Sequence, residues 1–276
     1  MSFYRIARAR KWFSLMPSGR IWTRDELLAA CNLYFTLPFG HMHSRNPTII
    51  EMAKALGRTP SSVAMKLVNF ASLDPAHKAR GVSGLRGTSR NDREVWEEFR
   101  SQWDSAVAES ELAFDRLVPR GKPTAKDRQS RFQLPRKPHS GPTETEATVH
   151  IRAAQSFFRK AVLAAYGARC CVTGNPVPQL LTASHILPWA DFPEQRANPQ
   201  NGLCLAAHFD RAFDQGLVTF NEGLRLELSP RLRRWLPDTA LEREFLSMEL
   251  SPLRVPERFP PDKDFLGFHR ENIFQK

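Results

Sequence analysis

A proline-rich, basic segment divides the chain and limits how it can fold. Residues 117–143 hold five prolines and seven Lys or Arg residues against a single acid. A segment of this composition cannot bury enough apolar surface to offset the entropy of ordering it, so we predict an extended linker. The chain is therefore predicted to form a basic helical domain over residues 1–116 and a second domain over residues 144–276.

The excess positive charge of the chain lies in its first half. Residues 1–140 contain 24 Lys and Arg residues against 13 Asp and Glu, whereas residues 141–276 contain 16 of each. Basic groups that neutralise phosphates release counterions, so a nucleic acid is the favoured partner of this half. Solvated surface charge that only keeps the protein soluble is the alternative interpretation.

The sequence has no pattern typical of a membrane or secreted protein. No apolar run approaches the roughly 18 residues of a spanning helix, and the apolar stretch at residues 12–16 is short for a signal peptide. Four cysteines do not form a disulfide framework. Cys170, Cys171 and Cys204 also lack the paired spacing of a zinc ribbon, so buried free thiols are favoured. We therefore expect a cytoplasmic protein.

The first domain shows apolar residues at helical spacing. Thr23 can cap one helix with its hydroxyl, and Asn46 followed by Pro47 is a typical helix start. Another helix begins near Pro60, after a short turn that contains Gly57. Two helices joined by a three-residue turn with glycine form a helix-turn-helix pattern. Helices are predicted over residues 25–37, 46–57, 60–70 and 92–114.

The helix that begins near Pro60 would enter the major groove if this pattern binds DNA. Polar residues on its outward face would then contact bases, and arginines of the adjoining loops would contact phosphates. The alternative is a helix pair that only packs. The residues expected to face outward are Ser61, Ser62, Met65, Lys66 and Asn69, and the candidate DNA-binding residues are Arg58, Ser61, Ser62, Lys66, Asn69, Arg86 and Arg90.

The second domain combines short strands with helices. A helix over residues 150–166 is expected to end at Gly167, because glycine suits the left-handed position after a helix. Residues 169–174 are interpreted as a short strand and turn. The other predicted elements are strands at 180–186 and 203–205, a helix at 206–214, and a hairpin of 217–220 with 224–228.

Polar residues of this domain include a candidate general base and candidate metal ligands. His185 stands at the end of a predicted strand, and a neutral imidazole can accept a proton from water near neutral pH. Asp210 and Asp214 are four residues apart and therefore share a helix face from which both can reach one ion. His208 is a candidate ligand only if the helix begins after it. A lone strand histidine is otherwise more often structural.

These residues lie in a pattern that resembles the HNH endonucleases, in the restriction-endonuclease subgroup. The likeness extends over about residues 150–225, and residues 22–28 and 57–67 look like the region that precedes this domain in the family. The pattern consists of Ala183-Ser184-His185-Ile186 with Pro188-Trp189, then Asn201-Gly202-Leu203-Cys204-Leu205, then the run from His208 to Gly216.

The resemblance implies metal-dependent hydrolysis of DNA that leaves 5′-phosphate and 3′-hydroxyl ends. His185 would be the general base, and Asn201 would fix the strand that carries it. The implied metal ligands are His208, Asp210 and Asp214. Carboxylates favour a hard cation, so we expect Mg²⁺, with Mn²⁺ or another divalent ion as alternatives. The predicted fold class is α+β, with a helix-turn-helix-like N-terminal domain and a C-terminal ββα-metal HNH nuclease domain.

The chain departs from the family pattern at two positions. Ser184 stands where many members have His or Asp, and Asp210 stands where many have His. A DNA-binding module with an inactive HNH-like domain is therefore one alternative function. An RNase is another, although a helix-turn-helix reads the narrow major groove of RNA poorly. A role in restriction or phage defence follows from the family alone, and the sequence leaves a homodimer open.

Overall fold

The first three helices begin at side chains that cap them. The computed structural model describes residues 20–75, 77, 87–118 and 146–276. Thr23 and Glu26 form a reciprocal capping box, and Asn46 Oδ1 accepts the backbone N–H of Thr48 at 2.9 Å. These predicted helix starts are confirmed. The helices of this part are α1 (Arg24–Thr36), α2 (Pro47–Ala55), α3 (Pro60–Leu73), α4 (Arg90–Ser101), α5 (Trp103–Leu117) and α6 (Glu146–Ala165).

The prediction of one helix over residues 92–114 is wrong, because the helix is interrupted at Gln102. This residue has φ −139° and ψ 54°, outside the helical region. α1 has 13 residues and is about 20 Å long, whereas an unbroken helix from α4 through α5 would be about 40 Å long. The break lets both helices pack on α1, with Trp96 and Phe99 from α4 and Val107 from α5 in one core.

The outward face predicted for α3 is wrong for Lys66 and Asn69, which are buried. Lys66 Nζ donates to Asp92 Oδ1 at 2.7 Å, and Asn69 Nδ2 donates to the carbonyl oxygen of Gly87 at 3.3 Å. α4 and the segment before it cover this side of α3, so both side chains stabilise helix packing. The rest of the predicted face reaches the surface: Ser61 and Met65 are exposed, and Ser62 is half-buried.

Two small antiparallel sheets organise the C-terminal part. The elements are β1 (Leu181–His185), β2 (Gly202–Ala206), α7 (Ala207–Asp214), β3 (Val218–Phe220), β4 (Leu226–Leu228), α8 (Pro230–Arg233), α9 (Thr239–Glu244) and α10 (Lys263–Asn272). β1 pairs with β2, with His185 opposite Gly202, and β3 pairs with β4. β2 leads directly into α7. The predicted strands, helix and hairpin are confirmed, and so is the α+β fold class.

Residues 169–174 form a turn and no strand, which corrects the prediction for this segment. The N–H of Gly174 donates to the carbonyl of Cys170 at 2.9 Å, and Gly174 has φ +73°. Cys170 Sγ accepts the N–H of Ala206 at 3.2 Å, so the turn closes over the end of β2.

Within the described ranges, no helix has both the length and the apolar character that crossing a membrane requires.

Helix α6 contributes to two hydrophobic clusters at once. Phe157 and Ala161 belong to the cluster that contains α1 and α5, whereas Phe158 and Val162 belong to the cluster of β1, β2 and α7. The N-terminal and C-terminal parts are therefore joined through the side chains of one helix. The predicted linker, residues 117–143, lies outside the described residues except for its first two positions.

α10 packs on α7 and β3 through a buried histidine. The ring of His269 stacks on that of Phe213 with 3.7 Å between centroids. Nε2 of His269 lies 3.0 Å from the carbonyl oxygen of Phe213, and Nδ1 lies 2.9 Å from the hydroxyl of Thr219. A carbonyl only accepts, so Nε2 carries the proton and Nδ1 accepts the hydroxyl hydrogen. The neutral ring therefore satisfies both partners.

Acidification is expected to destabilise the protein through His269. Burial lowers the pKa of His269 to about 4. An unfolded chain has a histidine pKa of about 6.5, so the neutral ring contributes about 3 kcal/mol, complete above that pH and lost as the pH falls toward 4. Urea unfolding at about pH 7.5 and about pH 4.5 should show wild type losing about 2 kcal/mol more than His269→Gln. Equal losses in the two proteins would contradict this expectation.

Candidate active site

A cavity of about 360 Å³ lies where β1 ends beside α7 and α10. It is lined by His185 at the end of β1 and by Asp210 and Asp214 of α7, and also by Trp189 and His269. Two strands and a helix follow one another here, so the hairpin and the helix present their side chains to the same space. The structure thus brings together three of the residues predicted from the sequence.

The ring of His185 is held in one orientation. It stacks on the ring of Phe158 with 3.7 Å between centroids, and it meets Trp189 edge to face at 5.2 Å. Nε2 lies 3.0 Å from the carbonyl oxygen of Arg196. Because a carbonyl only accepts, Nε2 carries the proton and Nδ1 carries the lone pair. Nδ1 is therefore the atom that can take a proton from a reactant.

His185 is neutral near pH 7. Burial lowers its pKa, and the hydrogen bond to the carbonyl of Arg196 acts in the opposite direction. The Arg196 side chain is itself fixed, because its Nε donates to the carbonyl of Trp189 at 2.9 Å and its guanidinium lies over the indole. The loop thus holds the carbonyl that orients His185.

Asn201 lies behind the cavity and connects the two segments that hold His185. Its side chain is buried, Oδ1 accepts the N–H of Leu187 at 2.8 Å, and Nδ2 donates to the carbonyl of Gln195 at 3.2 Å. Leu187 follows β1, and Gln195 precedes Arg196. The geometry is that of a positioning residue for His185, since Asn201 does not line the cavity.

Two residues to which the sequence analysis gave no role complete the setting of His185. Gly202 faces it across the sheet, and a Cβ there would lie 2.4 Å from Val162 Cγ2 and 3.0 Å from Phe158 Cζ. Glycine at this position therefore lets α6 approach the sheet and place Phe158 against the imidazole. The sequence places Phe158 in the predicted helix over residues 150–166, but it does not reveal that the ring packs on His185.

Asp210 and Asp214 form the acidic wall of the cavity. Burial raises the pKa of Asp210, and the hydroxyls of Ser184 and Thr182 act in the opposite direction. Burial and the charge of Asp210 raise the pKa of Asp214 to about 6. The ionised pair is therefore disfavoured in the protein alone, and a cation held between the carboxylates would stabilise it.

The oxygen donors of the cavity fit a hard divalent cation. In the part of the chain that the structure describes, no three His, Cys, Asp or Glu side chains lie together as a metal site. Mg²⁺ commonly binds through one or two carboxylates and otherwise keeps water or phosphate oxygens. Ser184 Oγ adds a buried oxygen that faces Asp210 and makes no hydrogen bond of normal geometry. Such oxygens suit Mg²⁺ or Mn²⁺ better than Zn²⁺.

His208 lies apart from the two aspartates, which corrects its prediction as a third ligand. α7 begins at Ala207, so His208 already occupies a helical position and, two residues before Asp210, points to another side. Its exposed ring packs beside Phe209 and Phe245, with centroid separations of 4.7 and 5.9 Å. It does not line the cavity.

The predicted DNA-binding residues of the N-terminal part do not share one exposed surface. Arg58 has a side chain that is 7% exposed, pairs with Glu26 at 2.7 Å and lies over the Trp22 ring at 4.0 Å. Like Lys66 and Asn69, it stabilises the packing of helices, which sequence spacing does not reveal. The others differ: Ser61 and Arg90 are exposed, Ser62 is half-buried, and Arg86 lies outside the described residues.

The cysteines are buried free thiols, as predicted. Burial raises the pKa of Cys171, and it raises the pKa of Cys204 to about 12. A protonated thiol is a poor metal ligand and nucleophile. These side chains therefore pack as small apolar groups around the end of β2.

Two strands followed by a helix, with a histidine and two carboxylates around one cavity, form a ββα arrangement. Residues 170–221 match the model of the HNH endonuclease family, and this stretch contains His185, Asn201, Asp210 and Asp214. The chain therefore carries an HNH domain in its C-terminal part, which confirms the resemblance found in the sequence. The domain indicates a nuclease-type function on a nucleic acid. No curated protein matches the chain.

Proposed function

We propose that this protein is an endonuclease that hydrolyses DNA phosphodiester bonds with the help of a divalent cation. The proposal rests on one observation: His185, Asp210 and Asp214 line the same cavity of an HNH domain. Metal-assisted hydrolysis needs an activated water and a cation at the phosphate. The imidazole can supply the first, and the carboxylates suit the second.

His185 would act as the general base on the attacking water. Nδ1 would accept a water proton while the water oxygen bonds to phosphorus and the bond to the leaving 3′ oxygen breaks. The leaving 3′ oxygen would take its proton from solvent water. The carbonyl of Arg196 stabilises the resulting imidazolium at Nε2. A divalent cation bound by Asp210 and Asp214 would neutralise charge on the phosphate and the leaving oxygen. The products would be the 5′-phosphate and 3′-hydroxyl ends that the family resemblance implies.

DNA is the substrate that the N-terminal part favours. Its charge excess attracts phosphates, and α2 and α3 form a helix pair of the kind that enters the wide groove of B-form DNA. Of the predicted contacts that the structure describes, Ser61, Ser62 and Arg90 have accessible side chains. These residues are the proposed contacts in this part.

A cytoplasmic location and a role in restriction or phage defence complete the proposal. Free, buried thiols suit a reducing compartment. The restriction role is supported by the family resemblance, and it predicts that cleavage depends on DNA methylation.

Purified protein is expected to nick or linearise a supercoiled plasmid in Mg²⁺ and to leave it intact in EDTA, because catalysis requires the cation. An oligoribonucleotide should stay intact under both conditions. Comparison of methylated with unmethylated plasmid in the same assay tests the restriction role. Absence of cation-dependent cleavage of either substrate would favour the DNA-binding alternative, for which the departure at Ser184 argues. Cleavage of RNA alone would identify an RNase.

A further inference from the structure

Trp235 stands on the surface of the C-terminal part, directly after α8. Its side chain is 73% exposed. The other tryptophans that the structure describes, Trp22, Trp96, Trp103 and Trp189, are buried or half-buried. A large indole held in solvent commonly marks a contact surface, since its flat apolar face is best used against another molecule.

Three arginines precede this indole in the sequence. Arg231, Arg233 and Arg234 are all exposed, and Arg233 pairs with Glu249. Arg231 and Arg234 make neither an ion pair nor a side-chain hydrogen bond with any described residue. The C-terminal half carries equal numbers of acids and bases, so two uncompensated cations beside an exposed tryptophan are a local feature. We call Arg231, Arg234 and Trp235 the Arg–Trp surface.

The Arg–Trp surface is held on the core of the HNH-containing part. Ser229 caps α8 by accepting the N–H of Leu232 at 3.0 Å, and Leu232 packs in the same cluster as Phe213. The N–H of Trp235 donates to the carbonyl of Leu232 at 3.2 Å. The arginines and the indole are therefore presented from a fixed turn, which lowers the entropy cost of contacting a ligand.

A backbone hydrogen bond limits the distance between this turn and the proposed cation site. Leu217 follows Asp214 by three residues, and its carbonyl accepts the N–H of Ser229 at 2.9 Å. Along this path the Cα atoms of Asp214 and Arg231 are at most about 25 Å apart. One turn of B-DNA is about 34 Å long. One helical turn of a duplex bound at Asp214 is therefore long enough to span the distance to the Arg–Trp surface.

We propose that the Arg–Trp surface is a second DNA contact, on duplex that flanks the cleaved bond. Arg231 and Arg234 bind phosphates, and Trp235 stacks on a base or wedges between bases of the minor groove. Such contacts carry little sequence information, so this surface adds affinity and orientation. The inference rests on the proposed function, because it takes DNA as the substrate.

The test measures equilibrium binding of the full chain to a fluorescently labelled duplex of about 30 bp. Fluorescence anisotropy reports binding, in EDTA and at several salt concentrations. Stacking of one base is worth about 1–3 kcal/mol, so Trp235→Ala is expected to weaken binding about 5- to 150-fold at every salt concentration. Trp235→Phe should restore part of this loss. The double variant Arg231→Ala, Arg234→Ala should reduce the slope of log K against log salt by about 2.

A matched control is Arg243→Ala on α9. Arg243 is exposed like the two arginines of the surface, but it pairs with Glu244. Its removal is expected to leave the salt slope nearly unchanged. Circular dichroism would verify that each variant is folded, which is expected because the replaced side chains are exposed.

Wild-type affinity and wild-type salt slope in the Arg–Trp variants would overturn the proposal. So would a loss confined to single-stranded oligonucleotides, or unchanged DNA binding with altered self-association in sedimentation, which would assign the surface to a second copy. Failure of the wild-type protein to bind or cleave any DNA would instead contradict the proposed function, so the two failures are distinguishable.

Discussion

Replacing His185 with alanine is expected to slow plasmid cleavage by about 10²- to 10⁴-fold, the usual contribution of a positioned general base. The variant removes Nδ1, the only proton acceptor that this ring offers to water, since the carbonyl of Arg196 holds Nε2. DNA affinity should change little, because the basic residues are untouched. Single-turnover cleavage with saturating enzyme in Mg²⁺ measures the first quantity, and anisotropy in EDTA measures the second.

His208→Ala is the matched control for this experiment. It removes a second imidazole of the same domain that is exposed and lies outside the cavity. Its cleavage rate should stay close to that of wild type. Equal activity of wild type and His185→Ala would refute His185 as the base. A loss in His208→Ala as large as that in His185→Ala would show that the imidazole at position 208 takes part after all.

Asp210→Asn is expected to abolish cation-dependent cleavage by weakening cation binding. Mutation of a residue that only hydrogen-bonds to a metal ligand typically weakens metal affinity by about 10- to 100-fold. Loss of a ligand itself should therefore weaken cation affinity by more than about 100-fold. Calorimetric titration with Mn²⁺ would measure this loss, with Glu222→Gln, an exposed acid in the β3–β4 turn, as the control. Affinity in wild type should also rise as the pH increases through the pKa of Asp214, about 6, because the ionised carboxylate binds the cation.

The same variant separates loss of a ligand from loss of the fold. Burial raises the pKa of Asp210, so its ionised form is disfavoured in the cation-free protein. An uncharged amide at this position should therefore not lower the melting temperature in EDTA. Unchanged Mn²⁺ affinity in Asp210→Asn would contradict the proposed cation site, whereas a large drop in melting temperature in EDTA would show that this substitution disturbs the fold.

The sequence predicted those parts of the fold that depend on neighbouring residues. Thr23 and Asn46 mark helix starts through local hydrogen bonds, and the short run of residues 180–186 predicts β1. The four-residue spacing of Asp210 and Asp214 likewise places both side chains on one face of α7. In each case the contacts that form the element join residues only a few positions apart, so the sequence pattern is enough to predict it.

The parts that were missed depend on residues far apart in sequence. Lys66 has the spacing of an outward helix residue, but its partner Asp92 lies 26 residues away and draws it into the core. The carbonyl of Arg196 that orients His185 belongs to the backbone and has no sequence signature. His269, more than 50 residues after α7, forms part of the cavity wall through packing that no local pattern reveals.

Helix α6 makes the structural unit around His185 larger than the stretch that matches the HNH family. The stretch that matches the HNH family begins at residue 170, but the aromatic floor beneath His185 is Phe158, on a helix whose other face is filled by the N-terminal bundle. α10, which lies beyond the matched stretch, contributes His269 to the cavity wall. The matched HNH stretch therefore does not form the site around His185 by itself, because helices before and after it also contribute side chains.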